Sequence, residues 1–119
     1  SFTIDNNSVY MGVADTSPCE ITIYGPCVNP YWDIMQGTKV VQSDGYNLTI
    51  PEGYRLVVSS HPNRQRAQLI ARDGTVSNVY QQQDLSKTNF VRFPVGRSKI
   101  LFFNYDRVAF KYREEYVVI

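Results

Sequence analysis

Turn signals divide this chain so closely that no stretch between them holds a helical stripe longer than a turn or two. Gly25-Pro26, Asn29-Pro30, Gln36-Gly37, Pro51-Glu52-Gly53, His61-Pro62-Asn63, Asp73-Gly74 and Pro94-Val95-Gly96 each separate short apolar runs. Each supplies a residue that fixes φ or tolerates positive φ where the chain has to reverse. Inside the runs the period is two. Cys19, Ile21 and Ile23 alternate with Glu20, Thr22 and Tyr24, and Val108, Phe110 and Tyr112 alternate with Ala109, Lys111 and Arg113. Side chains at that period line opposite faces of a strand. The kinds of apolar residue agree: Val, Ile and Thr number 29 and the aromatics 16, against 9 Ala plus Leu. β-branched and aromatic side chains fit a pleated, half-buried surface better than a helix.

Read in order, the pattern predicts strands over Cys19 to Tyr24, Tyr31 to Met35, Lys39 to Val41, Tyr46 to Ile50 and Tyr54 to Ser60. Further strands are expected over Arg66 to Arg72, Thr75 to Tyr80, Phe90 to Phe93 and Ser98 to Tyr105, with a last one running from Arg107 to Ile119. Pro30 places its segment at an edge or a strand start, and Asp73-Gly74 predicts a two-residue hairpin turn. Residues 1–18 read as a linker or an edge strand, with a short apolar piece at Val9 to Val13; residues 19–119 read as one domain. About nine or ten strands with short turns predict an all-β, antiparallel sandwich of the jelly-roll kind. A length of 119 residues suits one core. The start at Ser1 reads as a start inside a longer protein.

The charge balance excludes some partners. With 12 Lys+Arg against 11 Asp+Glu, the net charge of +1 offers no attraction to phosphate backbones or anionic lipid. No apolar run is long enough to span a bilayer as a helix. Cys19 alternates with the aliphatic positions of its strand, so Cys19 and Cys27 are expected as free thiols, Cys19 in the core. One His and two Cys cannot close a tetrahedral zinc site. No metal or cofactor is expected.

Catalysis is not expected either. His61 is the sole imidazole, it precedes Pro62 in a turn, and no Gly-x-Ser-x-Gly elbow accompanies it. Asp33, Asp44, Asp73, Asp84 and Asp106 all fall near turn signals, where Asp is favoured for its backbone hydrogen bonds. Two groups remain as contact residues for carbohydrate or a protein partner. His61, Asn63, Arg64 and Arg66, with Arg72 nearby, concentrate planar donors suited to carboxylates or sugar hydroxyls; the same arginines equally suit a charged hairpin edge. Tyr31 and Trp32 follow Asn29-Pro30 as an aromatic pair, for stacking on a sugar face or for filling the core.

The order of four segments carries a family resemblance. Ile21-Thr22-Ile23-Tyr24-Gly25-Pro26-Cys27-Val28-Asn29-Pro30 comes first, then Asn47-Leu48-Thr49-Ile50-Pro51-Glu52-Gly53-Tyr54-Arg55-Leu56-Val57-Val58. Ala67 to Tyr80 follows around Asp73-Gly74, and Asn89-Phe90-Val91-Arg92-Phe93-Pro94-Val95-Gly96-Arg97-Ser98-Lys99-Ile100 completes the series. In this order the segments resemble the C-terminal domain of siphophage distal tail proteins, over residues 19 to 113. The resemblance implies a galectin-like sandwich that projects from a ring of subunits at the phage tail tip, the ring-forming domain lying outside this chain. It implies a non-enzymatic role in assembling or docking the host-adhesion device, with other tail-tip proteins as partners. The isolated domain is then expected as a monomer, the parent as a ring-forming homo-oligomer, assembled in the bacterial cytoplasm and carried in the virion. The alternative is a module that binds host cell-wall polysaccharide through Tyr31, Trp32, His61, Asn63, Arg64 and Arg66. True galectins use a His-x-Asn-Pro-Arg stretch followed by Trp; here Pro62 and Arg64 break that spacing and Trp32 lies upstream.

Overall fold

The computed structural model describes residues 2–6, 16–61, 64–94, 96–112 and 115–118. The apolar piece at Val9 to Val13 and the turn residues Pro62 and Asn63 lie outside them. Fourteen strands form among the described residues, all paired antiparallel, and ten of them make two principal sheets. In chain order they are β1 (Phe2–Asn6), β2 (Thr16–Ser17), β3 (Cys19–Tyr24), β4 (Cys27–Val28), β5 (Tyr31–Gln36), β6 (Lys39–Gly45) and β7 (Thr49–Ile50). Then come β8 (Arg55–Ser59), β9 (Arg66–Ile70), β10 (Val76–Asn78), β11 (Phe93–Pro94), β12 (Gly96–Phe103), β13 (Arg107–Tyr112) and β14 (Glu115–Val118). One sheet has the order β1-β12-β5-β6 and the other β10-β9-β8-β3-β13-β14; β2 with β11 and β4 with β7 make two short ribbons. The all-β sandwich expected from the pattern is what forms.

The period of two builds the interior. Ile21 pairs with Val58 and Phe110, and Ile23 with Leu56 and Val108. All six of these side chains are buried. Against them the other sheet sets Trp32 and Ile34 of β5 and Ile100 of β12. Tyr46, Ile50, Val79 and Val91 close the margins of the same cluster. Each large apolar side chain removed from water contributes about 1.5–3 kcal/mol, so this row of cross-strand pairs dominates the stability.

Several local expectations are corrected. Tyr46 to Ile50 is not one strand: only Thr49 and Ile50 pair, with β4, while Tyr46 makes a single bridge to Gln83. Phe90 to Phe93 fails as a strand because Asn89 (φ 63°) and Phe90 (φ 46°) adopt the left-handed conformation, which no strand can contain; pairing resumes only at Phe93, against Ser17. The run from Arg107 onward is a hairpin, with β13 turning back into β14. Pro30 does precede a strand, but β5 lies between β12 and β6 and is not an edge.

The Asp73-Gly74 hairpin exists with a longer turn than expected. The Gly74 N–H donates to the Ala71 carbonyl at 2.9 Å and the Ala71 N–H to the Thr75 carbonyl at 2.8 Å. That is a three-residue loop, Arg72 to Gly74, with Gly74 at φ +92°. Asp73 keeps negative φ and uses its Oδ1 to accept the Thr75 N–H at 2.9 Å. A type I turn followed by a left-handed glycine gives this geometry, whereas the two-residue turn needs both residues at positive φ.

Candidate functional site

The residues singled out in the sequence are dispersed by the fold. Trp32 is 0% exposed, between Tyr46 at 6.1 Å and Phe102 at 6.2 Å between ring centres. This corrects its reading as a contact residue: a ring enclosed on all sides by the core cannot stack on a sugar, and its Nε1 finds no acceptor among the described residues. Tyr31, its neighbour, faces outward and is half-buried. Its ring stacks on Phe103 at 4.5 Å, and the Lys87 Nζ lies 4.8 Å from its centre. The alternation of the strand explains the split, since adjacent residues must point to opposite faces.

His61 and Arg64 belong to the connection between β8 and β9 and Arg66 opens β9, in the six-stranded sheet, whereas Tyr31 opens β5 in the other sheet. Arg66 bonds to Glu20 at 3.3 Å across the sheet, and the Arg64 N–H closes a turn on the His61 carbonyl at 3.0 Å. Asn63 lies outside the described residues. The set therefore does not converge on one surface. Cys19 is buried and Cys27 half-buried, both as free thiols; burial pushes the Cys19 thiol up to about 12, and burial likewise raises that of Cys27. Neither is a thiolate near neutral pH. Among the described residues no three His, Cys, Asp or Glu side chains cluster as metal ligands.

What the sequence missed lies at the other end, where β3, β9 and β12 finish and β8, β10 and β13 begin. Three adjoining clefts occupy this rim. Pro26, Cys27, Val28, Asn104, Tyr105 and Asp106 line one of about 440 Å³, and Tyr54, Ala71, Arg72, Asp73, Thr75 and Ser77 another of about 460 Å³. Between them lies a smaller cleft of about 220 Å³, bounded by Tyr24, Gly25, Gly53, Tyr54, Arg55 and Arg107. Its register explains it: Arg107, Tyr24 and Arg55 are direct partners across β13, β3 and β8. All three face outward because Val108, Ile23 and Leu56 beside them face the core. The chain comes so close at Gly25 that a Cβ there would lie 2.0 Å from the Pro51 carbonyl oxygen. Only glycine allows that approach.

A second missed feature is Asp44, which Asp44-Gly45 disguises as a turn. It sits inside β6, directly opposite Trp32, and is 0% exposed. Its carboxyl accepts the Gly45 N–H at 2.8 Å and the Phe90 N–H at 3.1 Å. Burial pushes it up to about 7, with those backbone hydrogen bonds, Gln83 and Lys87 opposing. The left-handed pair Asn89-Phe90 turns that second N–H inward. Around it the connection from β10 to β11 is laced along the edge of β6: Asp84 N–H to the Gly45 carbonyl at 2.9 Å, Asn89 N–H to the Ser43 carbonyl at 2.7 Å, Arg92 N–H to Gln42 Oε1 at 2.6 Å. An edge strand covered in this way cannot recruit another chain.

No family model matches the chain, and no curated protein matches it in sequence. Among solved structures, the fold is similar to part of a chain in the phage P2 baseplate in its activated conformation with Ca. The TM-score is 0.64 at 12% identity, over 82% of this chain and 32% of that one. This chain thus spans about a third of the length of the baseplate chain, and the likeness is one of fold.

Proposed function

We propose that this chain is a non-enzymatic structural domain of a phage tail-tip protein, of the distal tail or baseplate kind, that assembles or docks the host-adhesion device. The observation that carries this reading is the likeness to a phage baseplate chain over 82% of the present sequence. The order of segments that resembles the distal tail C-terminal domain points the same way and favours a galectin-like sandwich. On this reading the partners are other tail-tip proteins, a further domain of the parent forms the ring, and this sandwich alone is a monomer. It is assembled in the bacterial cytoplasm and stays with the virion.

The rival reading, a wall-polysaccharide module built on Tyr31, Trp32, His61, Asn63, Arg64 and Arg66, is less favoured because Trp32 is enclosed in the core. Deletion of residues 19–119 from the gene, followed by electron microscopy of the particles produced, tests the assembly role. Tails that lack an ordered tip are expected. Tips of normal form and normal adsorption to the host would overturn it.

A further inference from the structure

The central cleft at the loop end has the makings of a binding site that the assembly role does not use. Arg55 and Arg107 flank Tyr24 on three successive strands, which puts their backbones about 10 Å apart on one outward face. Like charges on one face of a sheet repel unless a counter-charge lies between them. None does. Neither Arg55 nor Arg107 has a carboxylate within ion-pair distance among the described residues, although Glu52, Asp73 and Asp106 belong to the same rim. The contrast is on the same sheet, where Arg66 is neutralised by Glu20 at 3.3 Å.

Arg107 is also held in place. The Arg107 guanidinium rests over the Tyr24 ring, 4.1 Å from its centre, and Arg107 remains exposed to solvent. A third guanidinium approaches the wall of the cleft. Arg72 donates to the Glu52 carbonyl at 2.8 Å and packs so tightly on Gly53 that a Cβ there would lie 2.4 Å from its Nε. Between these groups is a cleft of about 220 Å³, too small for a folded element and large enough for one sugar residue.

We infer that the cleft formed by Tyr24, Gly25, Gly53, Tyr54, Arg55 and Arg107 binds a saccharide through a phosphate or carboxylate group on its ring. The planar N–H forks of two arginines match the paired oxygens of either anion. The two tyrosine hydroxyls, each both donor and acceptor, suit sugar hydroxyls, while the Gly25 N–H is already given to the Tyr54 carbonyl at 3.0 Å. An acidic segment of a protein partner is the poorer fit. Protein interfaces are centred on apolar anchors in dry pockets, and no aliphatic side chain lines this cleft. The inference goes beyond the assembly reading, and the site stands or falls on direct binding whatever the particle does.

The test is titration of the isotope-labelled 119-residue chain, followed by amide NMR, with glucose 6-phosphate and glucuronate, and with glucose, inorganic phosphate and a poly-glutamate peptide for comparison. Both charged sugars are expected to move the amides of Tyr24, Gly25, Gly53, Arg55 and Arg107 at millimolar concentration and to bind more tightly than inorganic phosphate, with glucose silent. Arg55→Ala and Arg107→Ala are each expected to weaken binding at least about tenfold, in spectra that otherwise remain those of the folded chain, and Arg66→Ala to leave it unchanged. Silence toward both charged sugars, equal binding of inorganic phosphate, or a preference for the peptide would overturn the inference.

Discussion

Arg107 and Tyr24 are direct partners across the ladder of β3 and β13, and the guanidinium of the first lies 4.1 Å from the ring centre of the second. Both are outward positions, beside core residues Val108 and Ile23. The contact fixes a long, mobile side chain at the mouth of a cleft without burying its charge. An exposed cation–π pair contributes about 0.5–1 kcal/mol, so Arg107→Ala should lower stability by no more than that. Chemical denaturation checks it, and the small loss is what makes this variant usable in binding experiments.

Trp32→Ala should be far more costly. Removing a fully enclosed indole from between Tyr46 and Phe102 deletes transfer energy and leaves a cavity, together about 3–5 kcal/mol. Trp32→Phe should recover most of it, because the Nε1 has no hydrogen bond to lose among the described residues. Urea melts of the two variants make the comparison. With this ring in the core, calorimetry with lactose should show no heat of binding.

Asp44 makes stability depend on pH with a definite sign. Its folded-state value is raised, from 3.8 to about 7, so the folded chain binds the proton more tightly than the unfolded one. The contribution is complete below pH about 4 and is lost as the pH rises through about 7. A few kcal/mol should disappear over that interval, on the scale of ~1.4 kcal/mol per unit. Asp44→Asn, which keeps the shape and an acceptor, should flatten the dependence. Thermal melts between pH 4 and pH 8 would show it, and an identical slope in the variant would contradict the assignment.

Gly74→Val isolates a backbone effect. Nothing lies within 4 Å of where a Cβ would stand, so the variant meets no clash, and its cost comes from φ +92° alone. A loss of about 1–2 kcal/mol is expected, with Gly74→Asn losing less because Asn tolerates the left-handed region. Midpoints in denaturant rank the two.

The fold was legible because its core is written at period two: Cys19, Ile21 and Ile23, or Val108 and Phe110, can bury together only as strands. The edges of the pattern were harder to read. Asp44-Gly45 carries the same dipeptide signal as Asp73-Gly74, yet only the second turns, since Asp44 is held inside a strand by tertiary contacts with the segment around Phe90. Phe90 to Phe93 has the composition of a strand and is kept from becoming one by two left-handed residues whose hydrogen bonds reach back across 46 positions. The rim cleft was invisible for a related reason. Tyr24, Arg55 and Arg107 are widely separated in the chain, and only the register of three strands brings them into one row. Tyr31 and Trp32, adjacent in sequence, were separated by that same alternation.

The claim that this sandwich belongs to a phage tail tip is tested most directly by location. Particles from the strain that carries the gene would be labelled with gold-conjugated antibody raised against this chain and imaged by electron microscopy. The account predicts label confined to the distal end of the tail. Label on the capsid or along the tube, or particles with none, would contradict it.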